Sequence, residues 1–422
     1  MAGQSAATES AELLRLADVY IEKTYAFSMK DTGKRTFTRR AILKASVIAG
    51  SAVLVGFQDA KFSVLRKAAK DAFRGAKNLG LIEFTGEAPI PTNTLMGTDL
   101  DGRLLTDLSD VGPNHPTTTN RNFFVRTRAS ELLQVRKPWT IQVSGLVKHP
   151  SEMSLADVRK VTRPAGMHLM ECSGNVRDGH FGLLSVGDWT GVLASQILGS
   201  LPIEKAASHV LISGFDDYPN TSATSEPGAS WIFSMDAIQS SKAFFATGMN
   251  GSTLARDHGA PVRLVVPGWY GCTCIKWVDK IQLLDADAAT TSQMREFAGR
   301  TMQRGVPERV KDYSAPIIEQ AAMPVRVEKW LVGRKIKYLV NGIAWGGSQP
   351  VSDLAIRFNE GEDFVPVDDF DHSASHPWSF WAHAWTPIRR GGYVIQLRVK
   401  DTIPARRLNS GFFVRSVDIT EI

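Results

Sequence analysis

Beyond residue 321 the apolar residues recur at every second position, and that spacing confines the C-terminal quarter of the chain to β-strands. In "KIKYLVNG" Ile336, Tyr338 and Val340 share a face; in "LAIRF" Leu354, Ile356 and Phe358 do the same. "GYVIQLRV" repeats the pattern with Tyr393, Ile395, Leu397 and Val399. A period of two places alternate side chains on opposite faces of an extended chain, so each run buries one face and wets the other.

Several such strands in succession predict an all-β sandwich of immunoglobulin type over residues 324–422. The preceding region, 85–323, reads differently. "PWTIQVSGLV", "ASHVLISGF" and "APVRLVVPGWYG" look like strands, and "SLADVRKV" looks like a short helix begun by the cap Ser154. The expected fold class is therefore mixed α+β followed by all-β. With 422 residues, 43% of them hydrophobic and 22% charged, the chain is globular material for two or three domains. It carries no internal repeat and no low-complexity segment.

The formal charge of +6 is unevenly placed. Residues 1–80 hold 14 Lys and Arg against 7 Asp and Glu, and the remainder holds 35 against 36. The basic excess is thus N-terminal, and no nucleic-acid groove is indicated. In "TFTRRAILKASVIAGSAVLVGF" the pair Arg39 and Arg40 precedes an uncharged run at 45–57, an order that resembles a twin-arginine export signal. A helical run of that length spans about 20 Å, short of a bilayer core of about 30 Å. The expectation is a leader over 1–60 and a periplasmic destination, with tethering to the membrane by an uncleaved N-terminus as a variant. The alternative is a buried apolar helix with a basic flank. Residues 61–84 then read as a basic amphipathic linker helix, with Phe62, Leu65, Ala69 and Phe73 on one face.

Chemistry is concentrated in "HLMECSGNVRDGHFG", residues 168–182. Cys172 is either a small buried hydrophobe or a thiolate held electropositive by Arg177 and by glycine-freed amides. The chain lacks the nucleophile elbow, the phosphate loop and the zinc helix H-E-x-x-H. It has instead Arg126, Arg177, His258, Arg263 and Lys276 scattered at strand ends, a set suited to a large anionic ligand carrying a phosphate.

"FFVR", "ECSGNVR", "RDHGAPVRLVVPG" and "IKW", in that order, resemble the sulfite oxidase family of molybdopterin enzymes. "LLTDLSDVGPN", "YSAPIIEQAAMPVRV" and "VNGIAWGGSQP" match the flanking segments, so the likeness covers roughly 85–420. It implies a molybdopterin-binding catalytic domain at 85–323, a C-terminal dimerisation domain at 324–422, and molybdopterin with one molybdenum as cofactor. It implies further that Cys172 is the protein's ligand to the metal. Phe124, Val125, Arg126, Thr127 and Arg128 fall on the pterin-contacting loop. Asp216, His258, Arg263, Cys274, Ile275 and Lys276 fall among the cofactor contacts, and Arg126 and Arg177 fall in the anion pocket.

The sequence also departs from the family. Thr127 and Arg128 replace its Asn-His, Phe297 stands for its active-site tyrosine, and the tryptophan after the cysteine is missing from a shortened loop. The arginine expected near the C-terminus is not evident in "RRLNSGFFVRSV", where Ser410 is the nearest match. Arg128, Tyr270 or the Cys272 loop would have to replace the lost phenol. Cys272 and Cys274, taken as alternating on one strand, lack the further ligands of a zinc site and are expected to pack beside the pterin.

The implied activity is oxygen-atom transfer, most simply oxidation of sulfite or a related small anion by a homodimer. Electrons would pass to an external partner, for which a c-type cytochrome is one candidate, since no haem-attachment motif is present. The alternatives are reduction of a sulfoxide or similar oxide, and a cofactor-free binding protein.

Overall fold

The computed structural model describes residues 72–422, apart from 136–137, 223–224, 372–376 and 400–403. The export leader and the first part of the linker helix lie outside the described residues. Residues 77–82 of the expected linker are not helical. Lys77–Ile82 is an edge strand, antiparallel to Ala321–Val332.

Architecture follows from where the strands can bury a face. Four five-stranded sheets and one short ladder carry nearly all of the regular structure. Tyr393, Ile395, Leu397 and Val399 are all buried in the strand Gly391–Val399 while Val394 is exposed, as the period of two requires. Gly391–Val399 sits between Leu354–Arg357 and Arg415–Ile419, and Phe84–Thr85 closes that sheet on its far edge. The other C-terminal sheet runs Lys77–Ile82, Ala321–Val332, Lys335–Trp345, Trp378–Trp385, Asp369–Phe370. Its central hairpin turns at Gly333, whose φ of +63° suits glycine. Pro324, unable to donate to a ladder, sits where the register shifts between Pro324 and Arg326. Both C-terminal sheets therefore borrow a strand from the start of the described chain.

Two further sheets build the region that holds the site. One orders Ser230–Ser234, His209–Gly214, Val278–Leu284, Thr140–Gly145 and Ser151–Ser154, with a single parallel pairing. The other orders Ser252–Thr253, Phe244–Met249, Leu184–Leu193 and Arg163–Glu171, with Arg263–Val265 added to Phe244–Met249. The α-helices are few and short: Leu155–Lys160, Ala194–Gly199 and Met235–Ser240 have 6 residues each. Ser154 caps the first as expected, its hydroxyl accepting from the Asp157 amide at 3.1 Å. The molecule is thus mostly β, and the helical share of the expected mixed class is small. No helix among the described residues is long and apolar enough to cross a membrane.

Candidate active site

The strand Arg163–Glu171 ends one residue before Cys172, and the chain then turns sharply. The Asn175 amide donates to the Cys172 carbonyl at 3.0 Å, and the Cys172 amide to Leu183 O at 3.0 Å. This turn carries the thiol into the wall of an open cleft. Cys172 is 6% exposed, and its Sγ accepts from the Gly174 amide at 3.4 Å. Burial pushes the thiol pKa up; the Gly174 amide, Arg126 and Arg300 pull it down without overcoming that cost. A thiol placed this way ionises when something other than water takes the proton's place.

The short ladder of Arg103–Leu104 against Val125–Arg126 supplies the second wall. Phe124, Val125, Arg126 and Thr127 all line the cleft. Arg126 donates through Nη2 to Ser225 Oγ at 2.8 Å and through Nη1 to Leu100 O at 3.3 Å. Thr127 holds φ at +77°, a strained value for a non-glycine residue. Lys276 secures it: its Nζ donates to the carbonyls of Arg126, Thr127 and Asp257. All three ammonium donors are spent, so Lys276 serves as a pin and a charge.

The third wall is the turn and strand "RDHGAPVRLV". Gly259, at φ +104°, is required there, because an added Cβ would lie 2.9 Å from the Arg263 Cβ. Arg263 is 4% exposed and lines the cleft; its Nη1 donates to His258 O and its Nη2 to Cys274 O, each at 3.0 Å. Its Nε is buried with no partner. Burial, and then their mutual repulsion, hold Lys276 down at about 7; burial brings Arg263 down to about 10. Buried cations that resist their own charge gain most from an anion laid against them.

Most of the expected cofactor contacts meet here. Asp216, Cys274 and Ile275 line the cleft, although Asp216 spends one oxygen on the amides of Gly228 and Ala229. His258 stands behind the wall, with its Nε2 2.8 Å from Asn120 O and its pKa lowered to about 4, mainly by burial. Arg128 is turned away: its Nε donates to Asp257 Oδ2 at 3.3 Å and its Nη1 to Gly97 O at 3.1 Å. Arg177 is not brought in either. It is exposed and opens the 3-10 turn Arg177–Gly179, and it does not line the cleft.

Sequence reasoning missed Arg300. Its guanidinium stacks over Phe297, 5.3 Å from the ring centre. A Cβ on Gly174 would lie 3.6 Å from Arg300 Nη1 and 3.8 Å from Cys172 Sγ, so both groups border the same small space. Arg300 is exposed and outside the cleft lining, yet its guanidinium borders the surroundings of the thiol, which Arg177 does not.

The replacement donors named for the lost phenol are otherwise engaged. Arg128 is paired as above, and the Tyr270 hydroxyl accepts from Arg407 Nη2 outside the cleft lining. Gly271–Thr273 is a 3-10 turn, closed by the Cys274 amide on Gly271 O at 3.0 Å, so Cys272 and Cys274 do not alternate along a strand. Both thiols nevertheless line the cleft. Arg407, outside the cleft lining, reaches Glu171 Oε1 at 3.3 Å, on the residue before Cys172.

Among the described residues no three His, Cys, Asp or Glu side chains cluster to hold a metal unaided. One buried thiol, a cleft lined by Arg126 and Arg263, and an orphaned Nε on that buried Arg263 suit a metal that arrives with its own sulfur ligands and an anionic tail. Molybdopterin fits that description; Cys172 would hold its metal, and Arg263 and Lys276 would face its anionic part.

The comparisons with known proteins agree. Residues 130–292 match the family described as oxidoreductase molybdopterin binding domain. The nitrate reductase [NADH] of Ulva prolifera is 25% identical, over 59% of this chain and 32% of its own length. Mitochondrial sulfite oxidase of Rattus norvegicus is 23% identical, over 63% of this chain and 49% of its own. The chain thus spans a third to a half of these relatives. The crystal structure of the sulfane dehydrogenase SoxCD from Paracoccus pantotrophus shares the fold, with a TM-score of 0.56 and 17% identity, over 76% of this chain and 79% of that one. Residues 130–292 are thus a molybdopterin-binding oxidoreductase domain, the chain around them is similar to sulfite oxidases and nitrate reductases, and molybdopterin is the cofactor this domain implies.

Proposed function

We propose that the protein oxidises a small sulfur oxyanion, sulfite or a close relative, and passes the electrons to an external acceptor. The observation that carries this reading is Arg126, which lines the cleft beside the buried Cys172 and is held there by Leu100 O and Ser225 Oγ, with the Arg300 guanidinium bordering the same thiol. When bound, molybdopterin supplies a metal that changes oxidation state by two electrons as an oxygen atom is transferred. The chain's own part is to hold the anion and to keep water away. Arg126, fixed by Leu100 O and Ser225 Oγ, orients the substrate, and Phe297 gives the cleft lining an apolar ring under Arg300. The names of two similar proteins, sulfite oxidase and sulfane dehydrogenase, support sulfur chemistry.

A second reading, reduction of an oxide, is favoured by the nitrate reductases among the relatives. Molybdenum-loaded protein assayed with sulfite and ferricyanide or cytochrome c, then with nitrate or a sulfoxide and reduced viologen, separates the two. Sulfite turnover that falls at least about a hundredfold in Arg126→Met supports the first. Turnover in the reductive assay alone replaces it with the second.

The same proposal includes twin-arginine export to the periplasm, a c-type cytochrome as acceptor, and pairing of two copies through an immunoglobulin-type C-terminal sandwich. Replacing Arg39 and Arg40 by lysine is expected to leave cofactor-loaded protein in the cytoplasm. Unchanged periplasmic recovery overturns the export reading.

A further inference from the structure

Arg103 and Arg126 sit directly opposite each other on the two-stranded ladder. Like charges in cross-strand positions repel. Both guanidiniums nonetheless converge on the same two oxygens. Arg103 donates to Leu100 O at 2.8 Å and reaches Ser225 Oγ at 3.4 Å; Arg126 lies 3.3 Å from Leu100 O and 2.8 Å from Ser225 Oγ. Among the described residues, neither forms an ion pair with a carboxylate, whereas Arg128, two positions along, has Asp257. The carboxylates that act on the two do so at longer range: Asp101 on both, and Glu296 on Arg126. Asp101 accepts from Ser222 at 2.6 Å. Arg300 and the Cys172 thiol complete the surroundings of Arg126.

We propose that Arg103 is a charge-sharing positioning residue that, through Arg126 and Ser225, selects a doubly charged oxyanion over a singly charged one. The inference rests on the proposed anion chemistry of this cleft and names its charge class. One guanidinium balances one negative charge. A second, held alongside with no carboxylate of its own, is repelled by its neighbour until a divalent anion offsets both. The burden falls on Arg103, whose pKa is lowered to about 10 by burial and then by Arg126. Neither Arg126 alone nor the exposed Arg300 would discriminate by valence in this way.

Sulfate and perchlorate share a tetrahedral shape and differ in charge, which makes them suitable probes. Their affinities for the purified full-length protein are measured by calorimetry at fixed ionic strength, for wild type, Arg103→Gln and Arg103→Lys. Molybdenum and pterin content are determined alongside. Wild type is expected to prefer sulfate. Arg103→Gln is expected to lose at least about tenfold in sulfate affinity and less than about threefold for perchlorate. Arg103→Lys, which keeps the charge, restores most of the loss. In turnover, Arg103→Gln raises KM for a divalent substrate and leaves kcat within about twofold. Equal binding of the two anions by wild type overturns the proposal without any variant. So does equal weakening of both anions in Arg103→Gln, or failure of lysine to rescue, since either marks a packing role. Absence of molybdenum and pterin with the sulfate preference intact refutes the proposed oxidase function and leaves the charge selection standing.

Discussion

At the scale of single residues, the placing of Cys172 in the cleft wall was legible because it is local: the turn, the glycine and the thiol are neighbours in sequence. Its partners were not. Arg177, close in the chain, does not line the cleft, while the exposed Arg300 borders the thiol's surroundings from a distant turn and Arg103 enters through a strand register. Sequence adjacency predicts a turn well and a charge partner badly, because the partner is chosen by packing between elements. Cys172→Ser replaces a soft thiolate with a hard hydroxyl that rarely ionises, and the cations at the other end of the cleft are untouched. The expected outcome is molybdopterin retained and turnover lost by more than the roughly 10–100-fold that removal of an outer partner costs. Ordinary activity in Cys172→Ser, checked against measured pterin content, refutes the ligand assignment.

At the scale of elements, alternating strands such as Gly391–Val399 were readable because burial of one face writes a period of two into the sequence. The edge strands Lys77–Ile82 and Phe84–Thr85 were not, since one is largely exposed and the other has only two residues. What fixes this segment is a buried carboxylate. Glu87 takes a two-pronged contact from Arg415, at 2.6 and 2.7 Å, and faces His180 Nδ1 at 2.7 Å. Burial alone would raise the Glu87 pKa, but Arg415 and then His180 carry it below its ordinary value of 4.5. A carboxylate depressed in the fold contributes stability that is full above its unfolded pKa and is lost as pH falls through the folded value. Unfolding midpoints in urea are therefore expected to drop below pH 4.5 more steeply in wild type than in Glu87→Gln. Arg415→Met, which strands the buried carboxylate, is expected to cost about 3–5 kcal/mol near neutral pH. Parallel acid limbs in wild type and Glu87→Gln contradict the assignment.

At the scale of the whole molecule, the C-terminal strands and the cysteine turn share a polar core that no sequence pattern announces. Arg407, on the short helix Arg406–Asn409, reaches back to Glu171, which is 0% exposed and immediately precedes Cys172. Trp345 Nε1 donates to the other Glu171 oxygen at 2.9 Å, and Glu319 lies 3.9 Å from Arg407 Nε. Burial raises the Glu171 pKa and Arg407 opposes it, so the carboxylate is charged only as far as its arginine allows. An uncompensated charge at this depth is expensive, and the network commits the two regions to each other. The expectation is one cooperative unfolding transition for residues 72–422, although the strand periodicity changes near 321. Arg407→Leu should lower that transition by roughly 3 kcal/mol and, where Cys172 holds the metal as proposed, reduce molybdenum retention with it, because the lost partner sits on the residue before Cys172. Calorimetry on wild type and Arg407→Leu, with metal content measured on the same samples, checks both effects. Two separable transitions in wild type, with Arg407→Leu shifting only one and leaving molybdenum content unchanged, show instead that the C-terminal sheets stand apart from the site.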